Sequence, residues 1–234
     1  FAFYGCKNLH NIILPEKLKT IEEGAFGNCI SIEKITIPSE VERIGTSAFG
    51  GCISLEDIKL YEGVKNIAGC AFSKCIKLRK IDLPPNVTNI GYSAFEGCSN
   101  LVSVNMQGKV ENIDNYAFEN CKNLTQINIP ASIKKIGVYV FRNCSNDLVV
   151  RYEGNICDFE TKCTEWGDIG TTNVTGNSEH EYEAEEVGVS GQKKFKCKQC
   201  SSNYILNYTE SDSGIIITNV EVLSKTFIQC DLGK

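Results

Sequence analysis

The residues best suited to chemistry in this sequence are its 13 cysteines. Thiolates bind zinc or iron and form disulfides, so a regular column of thiols suggests a metal array or a disulfide ladder. A metal site, however, needs ligands that converge on one point, and one cysteine per repeat offers no natural pairs. We therefore predict buried free thiols that act as small hydrophobic side chains and weak donors. Seven cysteines form this column, each 23 residues after the last: Cys6, Cys29, Cys52, Cys75, Cys98, Cys121 and Cys144.

Cys70 lies outside the column, at the position that Ser47, Ser93 and Tyr116 hold in other repeats. We expect its thiol to be exposed or half-buried at a turn. A nucleophilic cysteine needs a nearby base. The chain has only two histidines, His10 and His180, and both are distant in register from this turn. The sequence therefore predicts no catalytic role for Cys70.

The other cysteines follow the repeats, and their role stays open between three interpretations. The first is a structural zinc held by His180, Cys197, Cys200 and one more ligand. The second is a set of disulfides that leaves one thiol free, and the third is reduced structural cysteines. The residues concerned are Cys157, Cys163, Cys197, Cys200 and Cys230.

The elements that must position these residues are repeats of 23 residues. Each repeat has the form A-F-x-x-C-x-x-L-x-x-I-x-I, often followed by proline and a second apolar pair. The alternating end of this pattern is typical of a strand with one buried face. One coil alone has no closed core, so the coils must stack on one another. The phenylalanine column, which shows no insertion or deletion, comprises Phe3, Phe26, Phe49, Phe72, Phe95, Phe118 and Phe141.

With these columns, residues 1–153 resemble the BspA-like leucine-rich repeats. The resemblance implies an α/β or mainly β solenoid, a right-handed superhelix of about seven 23-residue coils, with parallel strands on its concave side. It also implies a secreted or surface-attached protein with a role in adhesion. The motif is already under way at Ala2 and Phe3, so we expect the chain to be truncated at its N terminus.

The variable positions of the strands are the predicted binding site, because the apolar columns are needed in the core. A row of mixed charges and amides offers hydrogen bonds and a complementary potential to a protein or a glycan. The alternative is a solvated face that only keeps the solenoid soluble. The candidate residues on the concave face are Lys34, Thr36, Asp57, Lys59, Lys80, Asp82, Asn105 and Asn128.

Residues 154–234 are predicted to form a small β-rich cap or accessory domain, since a solenoid needs its open end covered. Basic and acidic side chains number 17 and 16 in residues 1–153, but 7 and 13 in residues 154–234. Residues 178–207 resemble a small Cys-rich module of bacterial surface proteins, with H-x-Y and C-x-x-C, although Val187 stands where the module has its first cysteine. The predicted strands are HEYEAEEVGV, KKFKCKQC, NYILNYTES, GIIITNVEVL and KTFIQC.

Composition and motifs favour a non-catalytic binding or adhesion module at a cell surface or outside the cell. The net charge of −5 argues against nucleic acid as a partner, and no apolar run reaches the ~18 residues of a membrane span. No motif of a phosphate loop, a metalloprotease or a serine hydrolase is present, and no cofactor is expected. We expect the partner to be a protein or glycan on a host or neighbouring cell. The alternatives are a structural spacer in a larger surface protein, or a non-catalytic part of a secreted enzyme.

Overall fold

The structure is a computed structural model that describes residues 1–155 and the strands 174–177, 182–186, 192–197, 203–211 and 214–224, with side chains through residue 153. Most residues of the predicted zinc and disulfide sites lie outside this part of the chain: Cys157, Cys163, His180, Cys200 and Cys230. Cys197 ends a strand whose backbone alone is described. These two hypotheses therefore stay predictions.

Each full coil of the repeat region contributes two β-strands. The longer strands carry the I-x-I pattern, and their burial alternates between exposed and buried residues, as the sequence predicted. They are β2 (Lys34–Thr36), β4 (Asp57–Lys59), β6 (Lys80–Leu83), β8 (Ser103–Met106), β10 (Gln126–Ile129) and β12 (Val149–Asn155). The two-residue strands are β1 (Thr20–Ile21), β3 (Arg43–Ile44), β5 (Asn66–Ile67), β7 (Asn89–Ile90), β9 (Asn112–Ile113) and β11 (Lys135–Ile136).

The strands pair in parallel, each with its equivalent one repeat further along the chain. The short strands form a six-stranded sheet in the order β1-β3-β5-β7-β9-β11. The longer strands form two ladders, β2-β4 and β12-β10-β8-β6, so the hydrogen-bonded ladder is interrupted between β4 and β6. The fold is thus a parallel-strand β-solenoid of the leucine-rich repeat type.

The solenoid has about six turns, where the sequence predicted about seven coils. The first copy of the motif forms its short strand β1 but lacks the longer strand, because residues 11–14 are irregular. Its apolar residues Leu9, Ile12 and Leu14 are only partly buried against the rest of the core. The difference arises because this copy packs, within the described residues, against a neighbour on one side only.

The core is built from the predicted columns. The seven phenylalanine rings stack face to face along the solenoid, with centroids 5.3–5.9 Å apart and ring planes within 11° of parallel. Dispersion contacts along such a stack extend over the whole repeat region. Next to the rings, Ala48, Ala71, Ala94 and Ala117 are fully buried, and at each of them the backbone of the neighbouring coil passes close. The aromatic spine predicted from the sequence is confirmed.

Each Ala-Phe turn contains two residues in the left-handed backbone region. One lies directly before the alanine, at Gly24, Ser47, Cys70, Ser93, Tyr116 and Tyr139, with φ between 51° and 60°. The other lies directly before the cysteine, at Gly5, Asn28, Gly51, Lys74, Gly97, Asn120 and Asn143. These two positions reverse the chain twice within five residues. The backbone N–H of the phenylalanine then reaches the alanine carbonyl of the next coil, for example from Phe49 to Ala71 at 2.8 Å.

The solenoid continues through an irregular last copy of the motif. Asp147 occupies the leucine column but is exposed, and the adjacent Leu148 is buried in its place. Tyr152 fills the last strand position and is 2% exposed. The predicted boundary after residue 153 falls inside β12, which pairs in parallel with β13 (Val174–Asn177). The sheet of the longer strands therefore extends past the predicted boundary.

The remaining described strands form a four-stranded antiparallel sheet in chain order. They are β14 (Tyr182–Glu186), β15 (Gln192–Cys197), β16 (Asn203–Ser211) and β17 (Gly214–Ser224). All four coincide with strands predicted from the sequence, whereas the predicted strand KTFIQC lies outside the described residues. In the part of the chain that the structure describes, no helix is long and apolar enough to cross a membrane.

Candidate functional site: the strand face

The strand face is the solvent-exposed side of the longer strands β2, β4, β6, β8 and β10. Alternation along each strand puts the apolar residues into the core and leaves the residues between them outside. The parallel register then aligns the outward residues of neighbouring strands, as Lys34 with Asp57 and Thr36 with Lys59. The structure places all eight predicted site residues on this one face. Seven are exposed and Asn128 is half-buried.

Charge is distributed unevenly along the strand face. Strands β2, β4 and β6 present the charged candidates, which are Lys34, Asp57, Lys59, Lys80 and Asp82. Strands β8 and β10 present serine, asparagine and glutamine at the equivalent positions. A partner that lies along the whole face would therefore meet ion pairs at one end and uncharged hydrogen-bonding groups at the other.

Some of the charged groups already have partners within the chain. The Lys80 Nζ lies 3.0 Å from Asp82 Oδ2, and the Asn105 amide donates to Asp82 Oδ1 at 3.2 Å. The Lys59 ammonium lies 4.8 Å from the centre of the Tyr61 ring, and a hydrogen bond to the Tyr61 hydroxyl raises the pKa of Lys59. Such exposed pairs contribute roughly 0–1 kcal/mol, so a partner can replace them at little cost.

Two depressions lie on the strand face. A groove of about 950 Å³ is lined by Lys34, Thr36, Tyr61 and the irregular segment 11–14, in which Ile13 is 97% exposed. A smaller depression of about 340 Å³ is lined by residues 102–105 and 125–128. The buried Oδ1 of Asn128 has no hydrogen-bond partner among the described residues. The groove thus joins apolar and charged groups, whereas the polar groups of the smaller depression are uncharged amides and hydroxyls, next to apolar residues such as the exposed Val102.

The thiols of the cysteine column form hydrogen bonds to backbone carbonyl groups. Each thiol from Cys29 to Cys144 lies 3.0–3.2 Å from the phenylalanine carbonyl of the preceding coil, to which it donates. Burial raises the pKa of the Cys52 and Cys98 thiols to about 12, so both stay protonated donors at neutral pH. The predicted buried free thiols are confirmed from Cys29 to Cys121, as rungs of a hydrogen-bonded ladder between coils. The prediction of burial is wrong for Cys6, which is exposed in the first copy, and Cys144 in the last copy is half-buried.

No metal centre is built by the described residues, among which no three histidine, cysteine or acidic side chains come together. Cys70 is half-buried at its turn with φ of 55°, and burial raises the pKa of its thiol. The expectation that the chain is not catalytic stays a prediction.

Sequence reasoning missed a second group of surface residues, at the Ala-Phe turns. Tyr92, Tyr116 and Tyr139 belong to successive coils, with ring centroids 5.5 and 5.7 Å apart. The Arg142 guanidinium lies 4.7 Å from the Tyr139 ring centre and pairs with Glu119 at 2.5 Å. The signal was present in the sequence, because Tyr116 and Tyr139 lie one repeat apart in a column that holds small residues from Gly24 to Ser93.

The columns and the parallel sheets define a leucine-rich repeat protein, and the comparison with protein families identifies which kind. The BspA type leucine-rich repeat region matches in six copies, over residues 1–64 and 21–148. The chain belongs to this family. It is accordingly a repeat-based binding or structural module.

Solved structures of bacterial leucine-rich repeat proteins share the fold. A leucine-rich repeat protein of T. pallidum is 33% identical, with a TM-score of 0.55, over 57% of this chain and 62% of that chain. One from Eubacterium ventriosum is 31% identical, with a TM-score of 0.57, over 61% of this chain and 39% of its own. A leucine-rich cell surface protein of Faecalibacterium prausnitzii is 27% identical, with a TM-score of 0.52, over 80% of this chain and 44% of its own.

The chain spans between about two-fifths and three-fifths of the length of these structures. Among curated proteins, none matches it.

Proposed function

We propose that the chain is a non-catalytic binding module, displayed at a cell surface or secreted, whose strand face contacts a protein or glycan on a host or neighbouring cell. The observation that carries this proposal is the alignment of eight polar side chains on one exposed face by the parallel register. The F. prausnitzii protein, described as a cell surface protein, supports the location.

The size of the strand face favours a macromolecular partner. Five strands about 4.8 Å apart give a ridge of about 20 Å, which is longer than a small metabolite. The face carries both signs of charge together with amides, and the groove beside Ile13 and Tyr61 adds apolar surface. Aromatic and apolar anchors surrounded by polar groups are typical of protein interfaces.

The experiment is a binding assay of the purified chain on immobilised extracellular-matrix proteins, mucins and epithelial cells. The test variant carries Lys59→Glu and Asp82→Lys, which reverse two charges at the centre of the strand face. The matched control carries Glu42→Lys and Lys65→Glu. These residues form an exposed ion pair at 2.9 Å beside the short-strand sheet, and their exchange retains the pair.

Saturable binding that is lost in the test variant and kept in the control, with both variants folded by circular dichroism, is the expected result. Equal loss in both variants would indicate general electrostatic adsorption. Absence of binding by every version across the panel would favour the spacer, which holds another part of a surface protein away from the cell.

A further inference from the structure

The outer edge of the Ala-Phe turns forms a second surface, which we call the turn ridge. It comprises, in each coil, the residues immediately before the alanine and the residue immediately after the phenylalanine. From the second to the fourth copy these positions hold mostly small residues, including Gly24, Gly27, Ser47, Gly50, Cys70 and Ser73. The first copy carries Phe1 and Tyr4, which are 66% and 51% exposed. In the last three coils they hold Tyr92, Tyr116, Tyr139, Glu96, Glu119 and Arg142. The middle of the ridge thus lacks large side chains, its N-terminal end carries the Phe1–Tyr4 ring pair, and its C-terminal end is both aromatic and charged.

Nothing in the fold requires tyrosine at this end of the ridge. Tyr116 and Tyr139 have φ of 60° and 56°, a conformation that costs a bulky L-residue roughly 1–2 kcal/mol. Glycine occupies the same position at Gly24 without that cost, and the smaller side chains of Ser47, Cys70 and Ser93 adopt the same range of φ. The left-handed conformation is therefore a feature of every turn, whereas the aromatic side chains of Tyr116 and Tyr139 are not required by it.

The three rings and Arg142 form one contiguous patch. Tyr92 meets the Tyr116 ring edge-on at 68°, and Tyr116 is tilted by 36° from Tyr139. The Arg142 guanidinium lies over both Tyr116 and Tyr139, with 5.3 and 4.7 Å to the ring centres. The patch therefore already binds one cation from within the chain, while Tyr92 remains 50% exposed and has no cation over its ring among the described residues.

The charged groups next to the patch include two acidic side chains that form no ion pair within the described residues. Arg142 is neutralised by Glu119, through hydrogen bonds from its Nε at 2.6 Å and a contact from Nη2 at 2.5 Å. Glu96, four residues after Tyr92, and Asp114, which lies in the adjacent coil beside the Gly91 position, form no ion pair with any residue whose side chain is described. Two carboxylates without an ion-pair partner thus lie on backbone segments next to Tyr92: Asp114 donates its N–H to the Ile90 carbonyl at 2.9 Å, and Glu96 belongs to the same turn as Tyr92.

We infer that this end of the turn ridge is a second docking surface, which takes an arginine- or lysine-bearing segment of a partner protein. The partner's cation stacks on the Tyr92 ring, as Arg142 does on the neighbouring rings, and its charge is matched by Glu96 and Asp114. Tyrosine and arginine are the residue types that dominate protein interfaces. This surface is separate from the strand face and does not depend on its function.

The test uses the whole chain with its tyrosine rings labelled with carbon-13, observed by NMR. The probe is a twelve-residue Gly-Ser peptide with three arginines, and its control replaces each arginine by citrulline, which keeps the shape and removes the charge. We expect the Tyr92 and Tyr116 ring signals to shift saturably, with the arginine peptide bound about tenfold more tightly than the citrulline peptide.

Variants are chosen so that the fold is preserved. Tyr92→Thr, Tyr116→Ser and Tyr139→Ser together introduce residue types that other coils already carry at these positions. Glu96→Gln with Asp114→Asn removes the two charges and keeps the side-chain shapes. The matched control, Glu22→Gln with Glu23→Gln, removes two charges from the N-terminal end of the same ridge, beside Phe1.

Loss of arginine-peptide binding in the tyrosine and acid variants, with binding kept in the control and in the strand-face variant, supports the inference. Equal affinity for the citrulline peptide overturns it, as does equal loss in the Glu22 and Glu23 control. Equal shifts of the Tyr4 and Tyr61 rings, or no shift at millimolar peptide, overturn it too. Because the strand-face variant is tested in parallel, failure of this inference is distinguishable from failure of the proposed function.

Discussion

The thiol of Cys98 should make the solenoid less stable at high pH, and the size of the effect follows from its burial. Cys98 is fully buried and donates to the Phe72 carbonyl at 3.1 Å. Burial raises its pKa from 9.0 to about 12. Below pH 9 the thiol is neutral in both states. Between pH 9 and 12 it ionises in the unfolded chain but not in the folded one, so the stability it contributes is lost as pH rises.

The stability lost at pH 10 is about 1.4 kcal/mol, because this pH lies one unit above the pKa of the thiol in the unfolded chain. Replacing Cys98 by alanine removes both the sulfur and the hydrogen bond, and it should cost about 1–2 kcal/mol at pH 7. The same replacement abolishes the pH-dependent loss. The gap between wild type and Cys98→Ala should therefore shrink from about 1–2 kcal/mol at pH 7 to nearly zero at pH 10.

Urea unfolding under reducing conditions at both pH values, followed by circular dichroism, measures this gap. Ile113→Val is the matched control, because Ile113 is fully buried and does not titrate. It should cost about 1 kcal/mol at either pH. Titration of lysines and tyrosines is common to all three proteins and cancels in the differences. If the difference in free energy of unfolding between wild type and Cys98→Ala stays constant between pH 7 and pH 10, a buried protonated thiol at this position is refuted.

Three other substitutions have outcomes that unfolding experiments check. Lys74→Gly should raise the free energy of unfolding in urea by about 0.5–1 kcal/mol, since Lys74 has φ of 60° and glycine avoids that strain; a decrease would contradict this. Arg142→Ala should lower it by about 1–3 kcal/mol, because the nearly buried Glu119 loses its partner, and Arg142→Lys should restore part of the loss. Phe95→Ala should lower it by about 3–5 kcal/mol in thermal unfolding, and a smaller effect would mean that the stacked rings relax into the gap.

The sequence predicted the core well because each core position recurs at a fixed interval. The Phe49 and Cys52 columns repeat without insertion, so their burial and stacking follow from period alone. The direction of the strand residues also follows, because alternation puts Lys59 opposite to the buried Ile58. Fold and strand face were therefore readable from spacing.

Features that depend on three-dimensional packing could not be predicted from the sequence. The acceptor of the Cys98 thiol lies 26 residues earlier, at Phe72, and only the stacked coils bring the two together. The Tyr92 ring joins Tyr116 from a neighbouring column, so a search along single columns does not connect them. The turn count also differed, because an apolar pattern in residues 11–14 does not by itself supply the strand partners that a ladder needs.

The uniform register makes neighbouring coils interchangeable parts. Each coil forms its thiol bond 26 residues back and its strand pairs 23 residues along, with the same kinds of partner on either side. A duplication or loss of one repeat's codons in the gene would therefore join ends that already fit, and it would change the length of the strand face by about 4.8 Å. Recombination within the gene can therefore change the length of the strand face by one repeat at a time, while the core columns stay the same.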